Sequence, residues 1–285
     1  MPKILKDASL YSRVLIALIA LLALSSFLTN SEFLGSEPET KIRTTGFRFT
    51  KFSTSGEQQW TVRAQEGLIQ TETTKLEGFQ LQIHSPSGDE QQNGLLELAG
   101  EEIELPKDSW DNIETSGEIN FRKPGQFEGL AHALVWNPDQ KVVKGREFQG
   151  KATLSEPTAN FEGGNFSYNY ESASFELQKP VTVTTTIEDD RLLRIEGGKL
   201  SWIGGGSITI SGGVVMNIAD SRRVEADVIS WEHSEDIYKG RGGVKIYEED
   251  RTVQGQGFEY IPKDQSLAVT GGVSLEFIDS RKDRE

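Results

Sequence analysis

No cysteine occurs in the 285 residues, so the chain builds neither a disulfide framework nor a thiolate metal site. Histidine is scarce too. His84, His132 and His233 stand far apart with no metal-ligand spacing between them. Positive charge is in short supply: 30 Lys and Arg against 44 Asp and Glu leave a net charge of −14. That balance argues against a nucleic acid partner, because phosphate binding needs a basic footprint. The acidic clusters Asp189-Asp190 and Glu248-Glu249-Asp250 fall in predicted turns, and no spacing selects a pair of carboxylates for glycoside hydrolysis. Glycine-rich stretches at Gly240 to Gly243 and Gly255 to Gly257 precede no helix, so they are not phosphate cradles. Helical periodicity is itself missing from Gly46 onward. These absences lead to a non-enzymatic reading with no cofactor and no metal.

What the chain does have is a repeat. IEGGKLSW (Ile195 to Trp202), VEADVISW (Val224 to Trp231) and VQGQGFEY (Val253 to Tyr260) end in aromatic residues 29 positions apart. Each phrase leads through a polar turn to a second one: ITISGGVVM, YKGRGGVKI and LAVTGGVSL. A fixed period of this size marks an architecture in which each unit leaves an apolar face for its neighbour to cover. Two strands and a turn fit each period, too few for a three-sided parallel coil. Asn137-Pro138-Asp139, Pro106-Lys107-Asp108 and Pro262-Lys263-Asp264 supply tight reversals between strand-like runs. The expected fold is therefore all-β, a stack of antiparallel hairpins with about seven units and fourteen to sixteen strands.

Alternation assigns the faces. Leu200 and Trp202, Ile229 and Trp231, and Phe258 and Tyr260 share the apolar side of the first strands. In the second strands Ile208, Ile210, Val214 and Met216 share it, as do Tyr238, Val244 and Ile246, and Leu267, Val269, Val273 and Leu275. Ser211, Lys245 and Glu276 point the other way. Glycine pairs at 212–213, 242–243 and 271–272 recur at one place in each second strand and predict a bulge or sharp bend. Repeated bends roll the stack into a V. Parity alone does not distinguish a filled core from an open apolar trough.

The N-terminus carries a separate signal. Leu10 to Leu28 forms a 19-residue stretch, apolar but for Tyr11, Ser12, Arg13, Ser25 and Ser26. As a helix it spans about 28 Å, close to a bilayer core. Lys3, Lys6 and Arg13 on one side and Glu32, Glu37 and Glu39 on the other orient it. Residues 1–9 are expected in the cytoplasm, 10–28 in the membrane, 29–45 as a linker, 46–278 as the folded domain and 279–285 as a charged tail. The alternative is a cleaved signal peptide with Ala23-Leu24-Ser25 as a weak processing site.

EADVISWEHSEDIYKGRGGVKI and GQGFEYIPKDQSLAVTGGVSLEF resemble the repeat of the lipopolysaccharide-transport β-jellyroll proteins, the OstA-like family. The single span followed by WTVRAQEGLI is similar to the anchored, LptC-like branch, while the C-terminal units resemble the soluble, LptA-like one. The resemblance covers most of residues 46–278. This chain is longer than the anchored branch leads one to expect, a length at which the resemblance implies both roles in one chain. The resemblance implies a single-pass inner-membrane protein with its domain in the periplasm. It implies a trough, built from the apolar residues named above, that shields the acyl chains of lipopolysaccharide. It further implies two partners: an inner-membrane lipopolysaccharide-export ABC transporter, and a soluble LptA-like jellyroll that adds by strand pairing. The expected pairing edges are Phe47, Phe49, Trp60 and Val62 at one end, and Val273, Ser274, Leu275, Glu276 and Phe277 at the other. A membrane-anchored scaffold and a polysaccharide-modifying enzyme are the competing readings.

Overall fold

The structure is a computed structural model describing residues 41–84, 95–107, 112–152, 158–187, 190–204, 206–219 and 222–277. The expected membrane span, the cytoplasmic tail, all but the last residues of the linker and the charged tail lie outside the described residues. Among the described residues no helix is long and apolar enough to cross a membrane.

The regular elements of the described residues are strands. The first eight are β1 (Ile42–Phe52), β2 (Gln58–Ile69), β3 (Thr73–His84), β4 (Leu95–Pro106), β5 (Ile113–Lys123), β6 (Phe127–Asn137), β7 (Val142–Ala152) and β8 (Ala159–Asn169). The rest are β9 (Ser174–Ile187), β10 (Arg191–Ile203), β11 (Ile208–Ile218), β12 (Arg222–Glu232), β13 (Ile237–Tyr247), β14 (Arg251–Ile261), β15 (Ser266–Thr270) and β16 (Ser274–Phe277). Each pairs antiparallel with its chain neighbour in one sheet, and β15 and β16 lie end to end along β14. The stack of hairpins expected from the repeat is thus present. β1 begins at Ile42, inside the stretch read as linker, because Ile42 and Thr44 already pair with Ile69 and Gly67.

A single sheet buries a core only if it folds over, and the strands crease near their midpoints. Register shifts fall at Ser211/Val214, Glu225/Val228 and Arg241/Val244, so the crease runs from strand to strand. Gly212 and Gly213 (φ 89° and 75°) and Gly242 and Gly243 (φ 80° and 56°) occupy the left-handed region there. An L side chain is strained in that conformation. At Gly242 a Cβ would also meet the Asp227 carboxylate at 2.3 Å. In the N-terminal strands the crease uses other devices. The Thr115 hydroxyl accepts the Leu134 amide at 3.1 Å where the β5–β6 ladder slips between Glu114 and Glu118.

The inner faces of the two halves then close on each other. Apolar residues from β2 to β14 form one continuous core, including Trp60, Phe121, Trp136, Phe166, Leu200, Ile229 and Tyr260, each at most 3% exposed. The outer faces carry charge in cross-strand pairs such as Lys151–Glu128 (2.8 Å) and Lys199–Glu176 (2.7 Å). Exposed pairs of this kind contribute about 0–1 kcal/mol each, so burial rather than charge holds the fold.

Candidate functional site: the folded interior and its seam

Folding the sheet along one crease brings its two rows of hairpin turns together. The first rim holds the strand ends at Phe52 and Gln58, Lys123 and Phe127, Ile187 and Arg191, and Ile218 and Arg222, and the second those at Asn137 and Val142, Asn169 and Ser174, Ile203 and Ile208, and Ile261 and Ser266. Trp60 on the first rim stacks edge-on against Trp136 on the second, with ring centroids 5.4 Å apart. These residues belong to β2 and β6, which lie about 19 Å apart across a flat sheet at the usual strand spacing. Phe127 on β6 meets Trp202 on β10 at 5.8 Å and Phe175 on β9 at 5.2 Å. Arg191 on β10 lies within electrostatic reach of the Tyr260 hydroxyl on β14. The first rim therefore faces the second with an offset of four strands, three times along the chain. The sheet is a coil whose seam is closed by side chains, since among the described residues β1 to β15 pair only in sequential order and β16 pairs β14.

The second rim presents one inner residue per strand from β5 to β15. Ile113, Trp136, Val143, Tyr168, Phe175, Trp202, Ile208, Trp231, Tyr238, Tyr260 and Leu267 are successive cross-strand partners. Seven of the eleven are aromatic. Three of the seven, Trp202, Trp231 and Tyr260, are the repeat-ending residues found in the sequence. Trp136, Tyr168 and Phe175 belong to earlier units that the sequence marks more faintly, because unequal turn lengths break the 29-residue spacing before residue 195.

The residues expected to line a trough are brought together, but not around open space. Leu200, Trp202, Ile208, Ile210, Val214, Met216, Ile229, Trp231, Tyr238, Val244, Ile246, Phe258 and Tyr260 are at most 3% exposed. They pack against one another, as the stacked Trp231 and Tyr238 rings show (5.5 Å). Leu267 and Val269 are half-buried against that core. Val273 and Leu275 are exposed at its end, 55% and 49%. The interior between the rims is filled by these side chains, because the four-strand offset lets large rings from opposite rims interlock.

The polar tips of the aromatic row are treated unequally. Trp136 Nε1 donates to the Tyr170 hydroxyl (3.4 Å), which donates to the Pro138 carbonyl (3.2 Å). Trp231 Nε1 donates to the Asp236 carboxylate (3.1 Å). The Tyr168 hydroxyl, Trp202 Nε1 and the Tyr260 hydroxyl are buried with no hydrogen-bond partner. Burial pushes the Tyr168 phenol up to about 12. It also raises Tyr260, against the lowering influence of Arg191 and Arg222. On the facing rim Lys123 pairs with Phe127 and is 3% exposed, and desolvation pulls its ammonium below the usual lysine range.

Two clefts open on the folded sheet. One of about 700 Å³ lies between the rims at the N-terminal end, lined among others by Phe52, Trp60, His84, Pro138, Lys141 and Tyr170. His84 Nε2 sits 3.0 Å from Gln58 Nε2, and burial lowers its affinity for a proton. The other, about 640 Å³, is lined by Arg122, Glu128, Gln149, Lys151 and Asn160 with Gly129 and Gly150. Among the described residues no group of three or more histidines and carboxylates is placed to hold a metal ion.

The sheet ends at β1 and at the β15–β16 line, each paired on one side only. Phe49 (40% exposed) and the half-buried Phe47 lie on β1, and Val273, Ser274, Leu275, Glu276 and Phe277 lie along the other edge. Trp60 and Val62 do not belong to an edge. They sit on β2, which pairs with both β1 and β3, and are buried behind the edge strand. Compared with known proteins, the chain matches no family model and no curated protein.

Proposed function

We propose that the chain is a non-enzymatic carrier that shields the acyl chains of lipopolysaccharide inside the folded sheet. On this reading it is anchored in the inner membrane by residues 10–28, with the sheet in the periplasm. It receives lipid from an export ABC transporter and passes it to a soluble LptA-like jellyroll joined by strand pairing at β15–β16. The observation that carries the reading is an apolar interior continuous from β2 to β14, bounded by a seam without backbone ladders and by two unpaired sheet edges. Side-chain contacts part at far lower cost than a hydrogen-bonded ladder, so acyl chains gain admission along the seam. The resemblance of the GG-V repeats to the OstA-like family supports the same conclusion.

The filled interior favours a second reading, an anchored spacer whose core never opens. Photo-crosslinking separates the two. A crosslinker at Met216, Ile229 or Ile246 captures lipopolysaccharide in cells if the carrier reading holds, while one at Ser211, Lys245 or Glu276 does not. Equal capture from both faces, or lipid-free protein in mass spectra of organic extracts, establishes the spacer instead.

A further inference from the structure

The two edges of the sheet differ in charge. Residues 41–63, on β1 and the start of β2, hold five bases, Lys41, Arg43, Arg48, Lys51 and Arg63, and one acid, Glu57. They do so in a chain whose net charge is −14. The opposite edge, residues 266–277, holds Glu276 and no Lys or Arg. Arg48 and Arg63 are exposed and directly opposite each other across the β1–β2 ladder, and neither has an ion-pair partner among the described residues. Like charges so placed destabilise a sheet, and an anion from outside relieves them. Arg43 is exposed as well and reaches Glu66 at 3.7 Å, a pair that solvent screens. Gly46 (φ 66°) creases β1: the Thr44 hydroxyl before it is buried and Phe47 after it packs on the core, so Arg43 and Arg48 both stand on the outer side. No strand of the sheet lies beyond β1, so side chains of both faces flank one edge. Ile42 and Phe49 border it on the inner side, and Phe52 stands 57% exposed at its end. The positive charge stops short of β4, which carries Glu97, Glu101, Glu102 and Glu104 and no base.

Charge alone suffices to guard an edge against strand addition. Exposed Ile42, Phe49 and Phe52 beside the charge weaken such a guard, so the combination has another use. Bases interleaved with exposed apolar side chains suit a surface that lies in the headgroup layer, where the cations meet phosphates and the apolar groups reach the acyl boundary. An acidic protein would need a pocket shaped for each of these three separated side chains, whereas a fluid bilayer adapts to all of them. We propose that the β1 edge, centred on Arg48 and Arg63 with Ile42, Phe49 and Phe52 beside them, docks on the surface of an anionic lipid bilayer. The opposite edge, without bases, faces away from it. The proposal rests on the anchored reading for proximity alone: the thirteen residues between Leu28 and Ile42 reach about 45 Å when fully extended, which keeps β1 near the membrane.

Because the chain has no cysteine, a single introduced one takes a fluorophore at a chosen place. The full chain labelled at Thr45→Cys on β1, or at Ser274→Cys on the opposite edge, is mixed with vesicles that carry a nitroxide-headgroup lipid as quencher. One set is phosphatidylcholine alone, the other equal parts phosphatidylcholine and phosphatidylglycerol. The Thr45 label is quenched in the mixed vesicles and far less in phosphatidylcholine, and added salt relieves the quenching. The Ser274 label stays bright in both. Arg48→Gln and Arg63→Gln each lower the ratio of docked to undocked protein about fivefold, the worth of one base near an anionic leaflet. Both variants fold, since each removes a like-charge contact. Equal quenching at Thr45 in the two lipids, quenching that survives the double Arg variant, or equal quenching at Ser274 overturns the proposal. So does a Thr45 label that stays bright throughout, which leaves the edge open to a protein strand. Flotation of the same samples reads the anchor separately. Protein that floats with phosphatidylcholine but is never quenched keeps the anchored reading and sinks the docking edge. Protein that floats only with the mixed vesicles, and is quenched there, retires the anchor and keeps the edge.

Discussion

Phe127 and Trp202 sit on strands four apart in one sheet, yet their ring centroids are 5.8 Å apart across the seam. That contact is possible only because the sheet coils, and it makes these two side chains a latch between rims. Trp202→Ala and Phe127→Ala are each expected to cost about 3–5 kcal/mol in denaturant unfolding, as large aromatic truncations in a core do. The double variant should cost less than the sum by about 0.5–1.5 kcal/mol, the worth of an edge-to-face pair. Strict additivity would show that the rims do not hold each other.

The crease depends on backbone conformation. Gly242→Ala forces an L residue to φ near 80° and drives its Cβ into Asp227. A loss of about 1–2 kcal/mol from handedness alone is expected, with more from the clash. Gly242→Ala combined with Asp227→Gly should recover the clash but not the strain, a difference that thermal unfolding resolves.

Tyr168 makes stability sensitive to alkali. Its folded value, about 12, lies above the ordinary 10.0 because burial disfavours the phenolate. A group raised in the folded state stabilises fully below its unfolded value, and that contribution disappears as pH climbs through the folded one. Between pH 10 and 12 it amounts to about 2–3 kcal/mol. Tyr168→Phe should therefore be as stable as the parent or more so at pH 7, and should lose less stability over that alkaline window.

Charge in the core is expected to be intolerable on one face only. Ile246 is 1% exposed, so Ile246→Asp buries a carboxylate without a partner and its unit should fail to fold. Lys245 is exposed on the opposite face, and Lys245→Gln should change stability by no more than about 0.5 kcal/mol. Circular dichroism of the two variants distinguishes them at once.

The C-terminal edge carries little burial. Val273, Leu275 and Phe277 are 55%, 49% and 70% exposed, so removing residues 273–285 should alter unfolding free energy by about 1 kcal/mol or less. The same deletion, or Ser274→Pro, should abolish capture of a periplasmic jellyroll partner by removing ladder groups. Undiminished capture places the partner elsewhere.

Much of this architecture was legible in the chain. The 29-residue spacing of Trp202, Trp231 and Tyr260, the alternation through Ile208, Ile210, Val214 and Met216, and the recurring glycine pairs specify antiparallel hairpins, their inward face and their crease. These are local properties: a two-residue period, a turn and a φ value are written in neighbouring residues. The sequence was less informative about the edges, where Trp60 and Val62 look like terminal strand residues until β1 is seen to cover them. Nothing local records which rim meets which, since contacts such as Trp60 with Trp136 and Phe127 with Trp202 join strands four apart and depend on the accumulated twist and bend of every strand between. Only the tertiary structure decided that offset. With it came the closing of the core, the aromatic row at the seam, and the placing of Tyr168 and Trp202 where their polar tips meet no partner.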